Sequence, residues 1–317
     1  MQTTLFSTDN IVEKVNNSGV EKVNGFVAKP FLKWAGGKTQ LLPVIRNSLP
    51  SNIEKMQCYV EPFVGSGAVL FWVLQQYPNI KKAIINDINI ELITAYRVIK
   101  EYPNELIKLL KSLHNKYDSI RNEERRRKYY LNQREIYNEK MGSEIEQTAL
   151  LIFLNRTCYN GLYRVNSRNE FNVPFGKYKN PRICDEETII ANSRILQKVN
   201  IMNKDFTETV DYAGKRSFFY FDPPYKPIST TSSFKSYSSN GFNDDEQVRL
   251  AEFCKTLNKK GTHWLLSNSD VKNTEVDNEF FDELYKEFNI RRVEARRNIN
   301  SNGSKRGKIF ELLISNY

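Results

Sequence analysis

Apolar positions along this chain fall into short runs, and their spacing changes character at Pro30. Residues 1–28 are rich in Asn, Ser and Thr without a sustained period, which predicts a loosely packed polar leader. FLKWAGGKTQLLPVI (31–45) then gives a glycine-broken loop that enters a helix-compatible run. CYVEPFVGSGAVLFWVL (58–74) reads as strand, glycine turn and helix. KKAIINDIN (81–89) reads as a second strand ending on an acid, with the helical pattern ELITAYRVIKEY behind it. Strand and helix in alternation favour a parallel sheet flanked by helices.

The pattern differs between about 95 and 182. Residues 101–155 predict helices with a charged face, including RNEERRRKYY. RTCYNGLYRVNSRNEFNVPFGKYKNPR (156–182) alternates like a strand around Gly161 and Asn169 and predicts a β-hairpin with loops. Strand signals return at KVNIMNKDF (198–206), SFFYFDPPY (217–225), THWLLSNS (262–269) and KIFELLISNY (308–317). The fold class expected is therefore α/β: a Rossmann-like, mostly parallel sheet with helices on both sides. Its core covers 29–94 and 183–317, and a helical and hairpin domain is inserted at 95–182.

Two places in this pattern carry chemistry. Gly65-Ser66-Gly67 sits where the first strand feeds the first helix, and small residues there let backbone approach a cofactor. Asp87, twenty residues past Gly67, is placed to accept from ribose hydroxyls. The turn lacks the full G-x-G-x-x-G, and no G-x-x-x-x-G-K-[ST] occurs, so the site reads as a nucleoside pocket without phosphates. Asp222-Pro223-Pro224-Tyr225 follows a strand apolar enough to be wholly buried. The prolines stop that strand and hold a carboxylate, a carbonyl and an aromatic face together. Such a set suits a planar amine: Asp222 and the Pro223 carbonyl accept its protons while Tyr225 stacks on its ring.

Composition narrows the partners. The chain has 317 residues, and 47 Lys and Arg against 37 Asp and Glu give a net charge of +10, which suits a polyanion. The surplus is local, with 13 basic and 7 acidic residues in 121–182 and 7 against 1 in 291–308. Cys58, Cys158, Cys184 and Cys254 form no C-x-x-C pair, and His114 and His263 are the only histidines. Neither a zinc site nor a disulfide framework is expected, and histidine-dependent nucleophilic catalysis is disfavoured. No apolar stretch approaches a membrane span and the N-terminus is no secretory signal, so a cytoplasmic protein is expected.

FLKWAGGK, EPFVGSG, NDIN and DPPY, in that order, resemble the Dam-type DNA adenine methyltransferases (the D12 family, class α). CYNGLYRVNSRNEFNVPFGKYKNP resembles the family's DNA-recognition hairpin, and the resemblance runs from about Pro30 to Tyr317. Members of restriction-modification systems that methylate GATC are particularly similar, through ISTTSSFKSYSSNGF and RGKIFELLISNY. The resemblance implies methyl transfer from S-adenosylmethionine, without a metal, to N6 of a flipped-out adenine in double-stranded DNA. It implies cofactor contacts at Trp34, Lys38, Phe63, Gly65, Gly67, Asp87 and Asp205, with Asp222 lining the same pocket. Asp222, Pro223 and Tyr225 are then the catalytic set. Arg164 and Asn160 match positions that reach base edges and phosphate, and Leu162, Pro174 and Tyr178 match others at the DNA surface. Arg156, Tyr159, Asn166 and Lys177 complete the DNA-facing set. A monomer is expected, with a restriction endonuclease as a possible functional companion. Two other readings stay open at this point: modification of a protein glutamine or an RNA base in the same fold, and a non-catalytic DNA-binding regulator.

Overall fold

The computed structural model describes residues 27–225, 242–295 and 309–317. Most of the polar leader, the stretch ISTTSSFKSYSSNG (228–241) and residues 296–308 of the basic segment lie outside the described residues. Seven strands form one sheet: β1 (Cys58–Glu61), β2 (Lys82–Asn86), β3 (Val199–Met202), β4 (Ser217–Phe221), β5 (His263–Ser269), β6 (Asn289–Ala295) and β7 (Ile309–Ser315). Their order is β3-β2-β1-β4-β5-β7-β6. β1 to β5 are mutually parallel, and β7 runs antiparallel to both β5 and β6.

Period-two alternation shares the strand residues between two cores, one on each face. Tyr59, Phe218, Tyr220, Leu265 and Leu313 face one core, and Val60, Phe219, Phe221, Trp264, Leu266 and Leu312 face the other. The first is covered by α2 (Ala68–Gln76), α3 (Ile90–Glu101) and α7 (Glu186–Leu196), and the second by α8 (Asp244–Lys259) and α9 (Phe280–Leu284). Ser-Phe-Phe-Tyr-Phe of β4 is buried at every position, as a central strand of a two-sided sheet requires. β6 was not legible as a strand. It carries Arg291, Arg292 and Glu294 on both of its faces, and the exposed charges suit an edge that must not pair with another chain.

Between β2 and β3 the chain builds α3, α4 (Pro103–Ser119), α5 (Glu123–Glu139), α6 (Glu144–Thr157) and α7. α6 is apolar nearly all round and lies at the centre, started by a Ser143–Glu146 capping box. α3 runs unbroken across 94–95 and packs on β3 as well as on α4 and α6, so no linker parts the inserted helices from the sheet.

The segment 156–182 departs from the hairpin expected. Among the described residues it holds a short 3-10 turn (Tyr159–Gly161) and two single antiparallel bridges, Cys158 with Phe175 and Val165 with Phe171. Backbone bonds cross it from Asn166 to Glu170, Asn172 to Arg164, Tyr159 to Pro174 and Gly176 to Thr157, and side chains brace this sparse ladder. Asn166 Oδ1 accepts from the backbone of Arg168 and Glu170, and Asn138 both donates to and accepts from the Phe171 backbone. The result is a loop closed like a hairpin but held by Asx turns.

Buried Asn155 of α6 ties this loop to the N-terminal loop. It accepts from the Lys33 N–H at 2.8 Å and donates to the carbonyls of Lys33 and Gly161, each at 2.9 Å. Asn155→Ala would leave those backbone groups unpaired, so a loss of about 2–4 kcal/mol of folding stability is expected in a urea titration.

Candidate methyl-transfer site

The site lies where the strand order reverses, at the carboxyl ends of β1 and β4, where open α/β sheets bind ligands. One buried residue organises the loops there. Asn86, the last residue of β2, donates to the carbonyls of Pro62 and Lys204 and accepts from the Lys204 N–H at 2.9 Å. It thus fixes the exits of β1, β2 and β3 together. Its sequence signal is its place at the head of NDIN, directly before Asp87.

The glycine turn has the geometry its sequence implies. Gly65 and Gly67 both have positive φ, 48° and 74°, and Gly67 precedes α2. A Cβ on Gly67 would collide with the Tyr96 hydroxyl, and one on Gly65 would press the Trp34 ring at 3.3 Å. Trp34 itself stacks on Tyr163, with centroids 4.9 Å apart. Asp87 accepts from the N–H groups of Gly65 and Asn89, both at 3.0 Å. Burial pushes its carboxyl above the ordinary range, against those hydrogen bonds.

Phe63, half-buried, meets Phe206, Phe221 and Phe242, so one side of the pocket is an aromatic wall. Asp205 stands at the exit of β3 and is already engaged: it accepts from Thr207 and takes both Arg249 contacts, at 3.0 and 3.1 Å. Burial acts to raise its pKa, but Thr207 and Arg249 together hold it below the usual value.

Beyond the turn is a buried ionic cluster. Lys38 is 3% exposed and its Nζ lies 2.8 Å from Asp222 Oδ1 and 3.6 Å from Glu311 Oε2. The same ammonium sits 4.3 Å from the Tyr225 ring centroid and bonds its hydroxyl. Ser267 of β5 donates to Asp222 at 3.3 Å and shares a hydrogen bond with Tyr220. Burial pushes the Asp222 carboxyl up, while Lys38 opposes that rise. Burial also acts to lower the Lys38 pKa, but Asp222, Tyr220 and Glu311 outweigh it, so the ammonium stays charged. Pro224 is anchored from behind: its carbonyl accepts from buried Gln247, which accepts from Asn268.

Glu61, 2% exposed at the end of β1, accepts from Tyr59 at 2.7 Å. Burial, and Asp222 and Asp87 nearby, hold its carboxyl well above the ordinary 4.5 against the Tyr59 bond. A raised folded pKa means stability is fully present below the unfolded value of about 4.3 and is lost as pH rises through the folded one. Glu61→Gln keeps the shape without that loss. Denaturant titrations at pH 6 and pH 8 should therefore show the variant gaining on the native protein at the higher pH.

The DNA-facing set is only partly gathered. Tyr159, Asn160, Leu162, Arg164, Pro174 and Lys177 are exposed on the 156–182 loop, and Tyr178 is half-buried beside Lys33. Asn160 and Lys177 both have positive φ. Two positions are turned to other uses: Arg156 donates to the Phe31 carbonyl at 2.8 Å from a largely buried place, and Asn166 braces the loop's own turn. Sequence reading missed Glu311, Ser267, Asn155 and Tyr163, all of which reach the site or its loops through strand or helix partners distant in the chain.

Three carboxylates (Asp87, Asp222, Glu311) against one buried lysine give the site a negative field, apt for a cationic nucleoside and not for phosphates. The sequence profile described as D12 class N6 adenine-specific DNA methyltransferase matches residues 34–299. The chain is 49% identical over 294 residues to the type II methyltransferase M.MjaIII of Methanocaldococcus jannaschii, covering 91% of this chain and 99% of that one. It is 44% identical to the type II methyltransferase M1.LlaDCHI of Lactococcus lactis subsp. cremoris, covering 91% and 95%. It is 35% identical to the DNA adenine methylase of Escherichia coli K12, covering 90% and 94%. The chain belongs to the D12 class of N6 adenine-specific DNA methyltransferases, enzymes that act on DNA and use S-adenosylmethionine as methyl donor. Among the described residues no helix is long and apolar enough to cross a membrane, and no His, Cys, Asp or Glu cluster could hold a metal.

Proposed function

We propose that this enzyme methylates N6 of the adenine in GATC after that base has rotated out of the duplex, and that it serves as the modification partner of a restriction endonuclease in the cytoplasm. The observation that carries the reading is Asp222, joined to Tyr225 through Lys38, at the end of β4 next to the strand that runs into the Gly65–Gly67 turn. Two relatives named as type II methyltransferases support the restriction role, and the resemblance of ISTTSSFKSYSSNGF and RGKIFELLISNY to GATC-methylating members supports the target.

The residues present fit the cofactor. Asp87 would hold the ribose, Phe63 and the aromatic wall the adenine with Asp205 at its edge, and Trp34 and the glycine backbone the remainder. S-adenosylmethionine, when bound, supplies an electrophilic methyl group on a sulfonium. The chain's own part is to present the nucleophile. An adenine amine is inaccessible in a stacked duplex, so the base must leave the stack. Tyr225 offers it a stacking face, worth about 1–3 kcal/mol. Asp222 and the Pro223 carbonyl accept from the amine, turning its lone pair away from the ring and toward the methyl donor. Methylation acidifies the amine, so its proton leaves through Asp222 or water without a strong base.

Residues 95–182 are proposed as the target-recognition domain, with the exposed face of the 156–182 loop against the major groove. The test is transfer of labelled methyl to duplexes that contain every tetranucleotide, together with 2-aminopurine fluorescence at the target position. Label confined to adenine in GATC and a rise in fluorescence on binding are expected. Label in another sequence would remove the GATC assignment, and unchanged fluorescence would remove the rotated base.

A further inference from the structure

Lys38 occupies the place that the proposed chemistry reserves for the target amine. Its Nζ is 2.8 Å from Asp222 Oδ1 and bonds the Tyr225 hydroxyl, 4.3 Å from the ring centroid. Asp222 is the acceptor that an adenine amine would need, beside the tyrosine on which its ring would stack. An ammonium donates to the carboxylate as that amine would, and with a full charge, so the two compete for one acceptor. Methyl transfer therefore requires somewhere else for Lys38 to go.

Glu311 is that place. It lies near the start of β7, paired with Ser269 of β5 and Val293 of β6. Because β7 runs antiparallel to β5, its start lies at the carboxyl edge of the parallel strands, two residues beyond the level of Asp222. The Glu311 carboxylate also faces the Tyr225 hydroxyl, and its buried Oε2 lies 3.6 Å from Lys38 Nζ without a hydrogen bond of ordinary geometry among the described residues. A buried acceptor left open beside a charged donor is costly unless the donor can reach it. The ammonium lies between two carboxylates, bonded to one and a short movement from the other.

We infer that Glu311 is a positioning residue of the methyl-transfer site, which receives the Lys38 ammonium when the target amine takes its place on Asp222. This rests on the reading of Asp222 and Tyr225 as the amine site. In the unoccupied enzyme Lys38 keeps Asp222 charged and in position. Once the base enters, Glu311 holds Lys38 aside and keeps a buried cation paired, since an unpaired one would be strongly disfavoured.

A double-mutant cycle on Glu311→Gln and Lys38→Met, in single-turnover methyl transfer with the full-length protein, tests it. Glu311→Gln removes the second ionic partner and leaves Lys38 on Asp222. The rate should fall roughly ten- to a hundredfold, with S-adenosylmethionine affinity in a DNA-free titration and the unfolding midpoint little changed. Lys38→Met should lower the rate by itself. Adding Glu311→Gln to it should cost no more than twofold, because the competitor that Glu311 draws away is gone. Glu311→Asp, which keeps the charge, should recover part of the rate. Full additivity of the two losses, or a Glu311→Gln enzyme as fast as the native one, would overturn the inference. Absence of transfer to adenine by the native protein would instead remove the amine-site reading beneath it.

Discussion

Asp222→Ala is expected to lower kcat for methyl transfer roughly a thousandfold, within the range that loss of a positioned proton-accepting group produces. Two roles disappear at once: the acceptor that orients the amine and the group through which its proton leaves. The fold should survive, because Asp222 follows the last residue of β4 and the strand's own side chains are buried independently of it. Lys38 keeps Glu311 as an ionic partner, so the cluster is not left with an uncompensated cation. Asp222→Asn should retain more activity than the alanine variant, since its amide oxygen still accepts while its NH2 opposes the amine. In the native enzyme the acid limb of kcat against pH should lie above the ordinary aspartate value of 3.8, because burial raises the Asp222 carboxyl and only the ionised form accepts fully. Activity falls as pH drops through that raised value. An acid limb that persists unchanged in Asp222→Asn would assign it to another group.

The contrast between what the sequence disclosed and what it hid follows from the range of the interactions. β4 was legible because five consecutive apolar residues before two prolines have few structural uses other than a buried strand that stops abruptly. The Gly65–Gly67 turn and Asp87 were legible because one strand-turn-helix unit and the start of the next are local in sequence. β6 was hidden because an edge strand carries charge at positions where a central strand carries Val or Ile. Glu311 was hidden for another reason: FELLIS reads as a strand, but its acid meets Lys38 only after β7 has been inserted antiparallel between β5 and β6. Asn155 lies in an apolar helix where a lone amide looks incidental, and its partners are 122 residues away and across a turn. The 156–182 loop was legible in composition but not in its detailed conformation, since Asn166 within it and Asn138 of α5 bond its backbone and leave only a sparse ladder.

Arg164→Ala is expected to lower discrimination between the cognate duplex and one altered at a single base pair by roughly ten- to a hundredfold, the equivalent of losing one bidentate guanine contact of about 1–3 kcal/mol. The structure prepares this arginine for such use. Its Nε donates to Asn172 Oδ1 at 2.7 Å and Nη2 to the Asn172 carbonyl at 3.1 Å, which fixes the exposed guanidinium before DNA arrives. Two of its five N–H groups are engaged there, and the others are available to a base edge. Lys177 supplies the control. Its ion pair with Glu123, 3.1 Å long with both side chains mostly exposed, is weak enough to exchange for a phosphate. Lys177→Ala should weaken all duplexes alike and reduce the slope of log affinity against log salt by about one. The two variants therefore separate on different axes, specificity for Arg164 and salt dependence for Lys177. Equal weakening of cognate and altered duplexes by Arg164→Ala, with a reduced salt slope, would move Arg164 to the phosphate backbone and leave base choice to other residues of the loop.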